Sequence, residues 1–242
     1  MSRVEPVKWY EFNQGKTHTF FKKKLGYTYR RFRKCIKKCQ DPIRYKELVE
    51  HLCQILYLEQ QGYLKVYDGD QSGFCLDPYL PYGWQPKGEH VRICPKKSKR
   101  LNVLGLLSRD NDLQVYSTTG TICSDLMIAF LDDFATQITQ KTVVVLDNAP
   151  IHHSEEFENQ MAIWQEKDLY IFFLPTYSPH LNLIETLWRK SKYEWLKPHH
   201  YQSFEILTQA VENILTNLAK EFKIDFSELK HFIDCKTSFN FS

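Results

Sequence analysis

The chain has 242 residues, of which 43% are hydrophobic and 25% are charged, a composition typical of one globular domain with or without an appendage. No apolar run approaches the roughly 18 residues that a membrane-spanning helix needs, and the polar, aromatic start of the chain does not resemble a signal peptide. The seven cysteines are scattered and include no CxxC pair, which argues against a structural zinc site and against a disulfide framework. We therefore expect a soluble protein of the cytoplasm.

The net charge of +3 conceals a strong asymmetry. Residues 1–45 contain 13 Lys or Arg against 3 Asp or Glu, whereas the remaining residues contain 19 against 26. A basic arm on a mildly acidic body suggests a polyanionic partner, and the aromatic residues between its cations favour DNA. An amphipathic helix with a solvated basic face explains the same pattern, and the two interpretations are compatible. The candidate DNA contacts of this arm are Lys22, Lys23, Lys24, Arg30, Arg31 and Arg33.

The first predicted element outside the arm is a helix from Asp41-Pro42 to about Gln60, which closes a basic helical N-terminal segment, 1–60. A strand follows from Tyr63, and its alternation places Leu64, Asp68 and Asp70 on one face. On this stretch alone, either aspartate could be a functional carboxylate or could serve a turn.

The middle of the chain is typical of an antiparallel meander. Three short apolar runs, at 90–94, 101–107 and 112–118, are predicted to be strands joined by turns. The basic turn between the first two contains Lys96, Lys97 and Arg100, which are candidate contacts to a DNA backbone, although a solvated loop fits them equally well.

The second half alternates strands and helices. The predicted elements are a helix capped by Ser124 and reaching about Gln140, a strand over 143–146, a helix from Ser154 to about Glu166, a strand over 169–173, a helix opened by Ser178-Pro179 with Glu185 in its second turn, and a last helix over about 203–220. A meander followed by such alternation predicts an α/β fold with a mixed sheet and helices on both faces. Residues 223–242 are expected to form a tail.

Two carboxylates stand out in this half of the chain. Asp147 follows directly after a buried strand, where a charge without a partner is costly, and Glu185 lies at the rim of a wide apolar helix face. Oxygen ligands of this kind suit hard cations such as magnesium. The spacing alone leaves open that Asp147 starts a turn and that Glu185 forms a surface pair with Arg189 at i+4.

Three motifs, GDQSGF, LDNAPIHHS and LPTYSPHLNLIETLW, together resemble those of the DDE transposases of bacterial insertion sequences, in the group related to the Tc and mariner elements. The resemblance implies a ribonuclease H-like catalytic domain, here 61–222, whose three metal carboxylates fall on Asp70, Asp147 and Glu185. It also implies two magnesium or manganese ions, cutting and joining of DNA strands at the element's ends, and a homodimer with Trp84 as a candidate contact. His152, within the second motif, is a further candidate for DNA backbone contact.

The sequence departs from the family pattern in three places. Gln71 replaces the Glu usual after the first Asp, and Leu183 replaces the usual Pro before Ile184 and Glu185. Only a basic fragment precedes the catalytic domain, where such transposases carry helix-turn-helix domains. We therefore expect either an upstream reading frame that supplies this region or a truncated copy. The alternatives are a ribonuclease H-like nuclease without strand transfer and an inactive or DNA-binding-only remnant.

Overall fold

The computed structural model describes residues 41–77 and 99–226. Residues 1–40 of the basic arm, the strand predicted at 90–94, Trp84, Lys96, Lys97 and most of the predicted tail lie outside the described residues. The described residues belong to one unit that spans residues 40–242.

Five strands and five α-helices lie in the described part of the chain, together with short 3-10 turns at Pro150–His153, Pro179–Leu181 and Pro198–Tyr201 and a π-helical turn at Ser191–Trp195. The strands are β1 Lys65–Phe74, β2 Leu101–Ser108, β3 Leu113–Thr118, β4 Thr142–Leu146 and β5 Leu169–Phe173. The helices are α1 Pro42–Gln60, α2 Ser124–Gln137, α3 Glu155–Glu166, α4 Ile184–Lys190 and α5 Phe204–Thr216.

The strands form one mixed sheet in the order β3-β2-β1-β4-β5. The β1–β2 and β2–β3 pairs are antiparallel, and the β1–β4 and β4–β5 pairs are parallel. All five residues of β4 are buried, as expected for an inner parallel strand with both faces of its sheet covered. The predicted α/β fold, a meander that continues into alternating strands and helices, is confirmed.

Helices pack on both faces of this sheet, also as predicted. Tyr67 of β1 belongs to a core with α2 and α3, in which Phe157 and Trp164 are fully buried. The opposite face of β1 carries Phe74, which packs with α4 and α5, and Val66, which packs with α1. The predicted N-terminal segment 1–60 thus contributes its last helix to the core.

β1 is longer than its apolar residues predict. It pairs with β2 residue by residue from Tyr67 to Phe74, so that Asp68 and Asp70 lie inside a strand. The turn interpretation of these two aspartates is therefore excluded.

Two predicted helix starts are corrected by the structure. Ser124 does not cap α2: the N-cap residue is Cys123, without a side-chain cap, because the Ser124 hydroxyl bonds instead with the Ile151 carbonyl and the Ser154 hydroxyl. Glu185 lies in the first turn of α4, not the second, because Asn182 adopts an extended conformation that separates the preceding 3-10 turn from the helix. The predicted caps at Asp41 and Ser154 are confirmed.

The last described residues are hydrogen-bonded to the β2–β3 turn. Asn111 adopts a left-handed conformation (φ 61°), and its side chain donates to the Ile224 carbonyl at 3.0 Å and accepts from the Ile224 N–H at 2.9 Å. Ile224 is only 1% exposed, so the start of the predicted tail packs on the domain. Among the described helices, none combines the length and the apolar character that crossing a bilayer requires.

Candidate active site

The sheet brings Asp70 and Asp147 to the same place. β1 and β4 are parallel and in register from Lys65 opposite Thr142 to Asp68 opposite Val145. Continuing this register by two residues places Asp70 beside Asp147, which follows directly after β4. The Asp147 side chain is 56% exposed, so the carboxyl end of β4 is accessible to solvent at this point.

α4 lies close against the sheet because Gly105 has no side chain. Gly105 is the β2 partner of Asp70, and a Cβ atom there would lie 3.0 Å from Ile184 Cδ1 and 3.2 Å from the Trp188 ring. The close approach lets Trp188 Nε1 donate to Asp70 Oδ2 at 3.1 Å. Glu185 is carried on the same helix, in its first turn, and is thereby brought to the two aspartates.

The three carboxylates influence one another electrostatically. Burial raises the pKa of Asp70 to about 7, and the charges of Glu185 and Asp147 add to this rise. Burial also raises the pKa of Glu185, where Lys192 opposes the shift and Asp147 adds to it. The structure therefore places all three carboxylates predicted from the motifs within range of electrostatic interaction.

The donor set fits a hard divalent cation. Mutual repulsion and burial both disfavour three negative charges here, and a cation among the carboxylate oxygens relieves both, since oxygen ligands are those that Mg²⁺ binds. Within residues 41–77 and 99–226, no group of three or more His, Cys, Asp or Glu side chains is drawn together tightly enough to hold an ion by itself.

Two cations accompany this cluster. Lys192 is partly buried, and its charge interacts favourably with those of Glu185 and Asp70, although burial and Arg100 together lower its pKa. Its Nζ lies 5.3 Å from the centre of the Phe74 ring. Arg100 crosses β1 at Gly73, where a Cβ atom would collide with the guanidinium. The sequence interpretation missed Lys192, although its position seven residues after Glu185, two helical turns, was the available signal.

His152 is buried beside the second carboxylate. Its ring packs against Phe157 and Phe173, with centroids 5.5 and 6.3 Å away, and its Nε2 lies 3.3 Å from Asp147 Oδ1. Only 4% of the residue is exposed. The imidazole therefore faces Asp147, and its contact with a DNA backbone stays a prediction.

Asp68 occupies a different environment from Asp70. It is 1% exposed, and its Oδ2 lies 3.6 Å from Arg109 Nη1. Burial raises the pKa of Asp68 to about 6, against the opposing effects of Arg109 and of the Leu183 N–H. Asp70 interacts with Glu185 and Asp147, whereas Asp68 interacts with the partly buried Arg109.

Comparison with known proteins places the chain in a family. Residues 65–208 match the DDE superfamily endonuclease family. The chain is 24% identical over 157 residues to the insertion element IS630 uncharacterized 39 kDa protein of Shigella sonnei, a match that covers 64% of this chain and 45% of that protein. The chain thus spans less than half the length of this relative.

Solved structures of Mos1 transposase share the fold. The mariner Mos1 paired end complex with Mn is 12% identical with a TM-score of 0.56, over 95% of this chain and 72% of that one. The paired end complex with Mg has a TM-score of 0.55 at 12% identity, over 91% and 67%. These likenesses confirm the predicted ribonuclease H-like fold. Because the family match covers more than half of the chain, this protein belongs to the DDE superfamily of endonucleases, which confirms the DDE superfamily predicted from its three motifs.

Proposed function

We propose that this chain is the catalytic part of a transposase that cuts DNA strands at the ends of an insertion sequence and joins them to target DNA. The observation that carries the proposal is the convergence of Asp70, Asp147 and Glu185 from separate parts of the fold: burial raises the pKa values of Asp70 and Glu185, the charge of Asp147 adds to both shifts, and the charge of Glu185 adds to that of Asp70. Similarity to Mos1 proteins described in paired-end and strand transfer complexes supports element ends as the substrate.

The proposed cofactor is a pair of magnesium or manganese ions held by Asp70, Asp147 and Glu185. Mos1 structures with Mn and with Mg support the use of such divalent ions. When bound, these ions supply Lewis-acid chemistry: they polarise the phosphate and lower the pKa of a coordinated water. In this chain, Trp188 orients one oxygen of Asp70 and His152 faces one oxygen of Asp147, so that both carboxylates are held in defined orientations.

The cations around the site are proposed to bind the DNA backbone. Lys192 interacts with Glu185 and Asp70, and Arg100 lies within electrostatic range of Lys192; both would neutralise phosphates near the cut, and Lys192 would also compensate the negative charge of the cluster. Lys96, Lys97 and the basic residues of the arm are proposed to extend this contact. A homodimer on two element ends, with a helix-turn-helix protein as a further partner if an upstream reading frame encodes one, completes the proposed assembly.

Cleavage of labelled element-end DNA tests the proposal, with the purified chain assayed alone and together with the product of the upstream frame. We expect nicking with Mg²⁺ or Mn²⁺ and none with EDTA. Asp147→Asn removes one metal ligand and should abolish nicking while DNA binding in a gel-shift assay is retained. Asp133→Asn changes an exposed aspartate on α2 and should leave both unchanged. Full cleavage by Asp147→Asn would refute the assignment.

A joining assay separates the proposed transposase from a nuclease. With a pre-cut element end and a target plasmid, a transposase forms strand-transfer products that contain both DNAs. Cleavage of RNA–DNA hybrids without any joined product would support the nuclease alternative. DNA binding without either reaction, also in the presence of the upstream product, would support the remnant.

A further inference from the structure

A buried carboxylate links the strand of Asp70 to the helix of Glu185. Asp68, two residues before Asp70 on the same face of β1, accepts a hydrogen bond at Oδ1 from the Leu183 N–H, at 3.2 Å. Leu183 immediately precedes α4, in which Glu185 is the second residue. The carboxylate therefore binds the start of the helix that presents the third carboxylate of the site.

A second hydrogen bond beside the first makes this link a two-point attachment. Asn182 Nδ2 donates to the Gly69 carbonyl at 3.0 Å, and Asn182 is itself buried. Consecutive residues before α4 thus bind consecutive residues of β1. A two-point attachment restricts both the position and the tilt of the first turn of α4, and hence the distance between Asp70 and Glu185.

Arg109 and Glu59 hold Asp68 in place. Arg109 Nη1 lies 3.6 Å from Asp68 Oδ2 and 3.0 Å from Glu59 Oε2. Glu59, near the end of α1, also accepts from the Val66 N–H through its other oxygen, at 3.1 Å. The three side chains form a partly buried charged network that runs from α1 through the end of β2 to the start of α4.

Such a network is a weak source of stability. Removing charges from water costs about as much as their mutual attraction returns, so apolar residues of similar size are often at least as stabilising. The two oxygens of Asp68 instead have different partners: Oδ1 accepts from the Leu183 N–H at the start of α4, and Oδ2 faces Arg109. This favours a role in placing α4 over a role in general stability.

We propose that Asp68 is a positioning residue of the active site: by binding the Leu183 N–H it holds the first turn of α4, and with it Glu185, at a set distance from Asp70. Arg109, which is itself paired with Glu59, faces the other oxygen of this carboxylate at 3.6 Å. The part of this proposal that concerns metal affinity and catalysis rests on the proposed function, whereas the part that concerns α4 does not.

Leu183→Pro tests the link with little other change, because proline, the residue usual at this position in the family motif, lacks the N–H through which this chain binds Asp68. The backbone suits it, since Leu183 has φ −65°, the value that proline imposes, and Asn182 has ψ 114°, in the extended region that a residue before proline requires. Leu183→Ala is the matched control, because it keeps the N–H and truncates the same buried side chain. Asp68→Asn keeps an oxygen acceptor for the N–H, whereas Asp68→Leu removes it.

The first readout needs no metal and no DNA. Hydrogen exchange of the α4 amides, normalised to those of α5 in the same sample, should be accelerated about ten-fold or more in Leu183→Pro and Asp68→Leu, because the first turn opens locally. Leu183→Ala and Asp68→Asn should stay within about three-fold of the original chain on the same measure. Equal exchange in Leu183→Pro and Leu183→Ala would overturn the proposal, whatever the activity of the protein.

The second readout is metal affinity, measured by electron paramagnetic resonance with Mn²⁺ alone. Leu183→Pro and Asp68→Leu should each weaken binding by roughly ten-fold, the usual effect of residues that orient metal ligands, and should lower kcat for element-end cleavage with little change in KM for DNA. The double variant, Leu183→Pro with Asp68→Leu, should bind Mn²⁺ no more weakly than the weaker-binding single variant, because both changes break the same interaction. Losses of Mn²⁺ affinity that multiply in the double variant would contradict the positioning role. Unchanged Mn²⁺ affinity in the single variants would also contradict it, provided that the original chain binds Mn²⁺ and cleaves DNA. A starting chain that neither binds Mn²⁺ nor cleaves DNA would instead count against the proposed function.

Discussion

Asp70→Asn should make the metal-free protein more stable at pH 8, although it removes a proposed metal ligand. The pKa of Asp70 in the folded chain is raised from 3.8 to about 7, so the native state binds this proton more tightly than the unfolded chain does. The free energy of unfolding therefore falls as the pH rises from about 4 to 7. At 1.36 kcal/mol per pKa unit, a rise of about three units corresponds to at most about 4 kcal/mol. Asparagine is neutral, has the same shape and still accepts from the Trp188 N–H.

Urea unfolding in EDTA between pH 5 and 8 measures this effect. The gain in unfolding free energy of Asp70→Asn should grow with pH and reach about 2–4 kcal/mol at pH 8, since partial relaxation reduces the full value. The control Asp133→Asn, at an exposed position, should show no pH-dependent gain. Saturating Mn²⁺ should stabilise the original chain more than Asp70→Asn, because only the former keeps all three ligands. An asparagine variant that is no more stable than the original chain at any pH would refute the reasoning.

Two further changes test the packing and the electrostatics around the site. Gly105→Ala places a methyl group 3.0 Å from Ile184 Cδ1 and should lower the free energy of unfolding in urea by about 1–3 kcal/mol through overpacking. The control Gly120→Ala, whose Cβ would meet only Thr118 Oγ1 at 3.4 Å, should lower it less. Equal losses of unfolding free energy would show that α4 can move aside freely. Asp112→Asn removes the negative charge of a partly exposed carboxylate that accepts from Lys65 and Tyr67; burial opposes these two partners, but together they lower the pKa of Asp112. The stability that Asp112 contributes should be measurable at pH 7 and vanish as the pH falls through its lowered folded pKa, whereas a difference from Asp112→Asn that persists at pH 2 would contradict this cause.

Much of the fold follows from local patterns in the sequence. The continuous apolar runs at 143–146 and 169–173 predicted two buried strands because strands covered on both faces lack alternation. Both runs are strands, but only β4 is buried throughout, since β5 lies at the edge of the sheet and four of its five residues are partly exposed. Asp41 and Ser154 predicted helix starts because their side chains satisfy amides that the helix leaves unpaired. Asp147 stood out as a candidate because it follows a buried strand, where an unpaired charge is costly. Glu185 stood out because it lies at the rim of a wide apolar helix face.

What the sequence left open was decided by contacts between distant segments. The polar, glycine-containing stretch from Asp68 to Gly73 has no local preference for a strand, and it is a strand because β2 pairs with it along its whole length, while β4 pairs with β1 only as far as Asp68. The distance from Asp70 to α4 depends on Gly105, 35 residues away in sequence, and the different environments of Asp68 and Asp70 depend on Arg109 and Glu185. The sequence by itself determined which residues could carry the chemistry, since residue type and short-range spacing are local properties. Only the tertiary structure decided which carboxylates face one another and which one is bound to an arginine, because burial and charge–charge distance are properties of the packed chain.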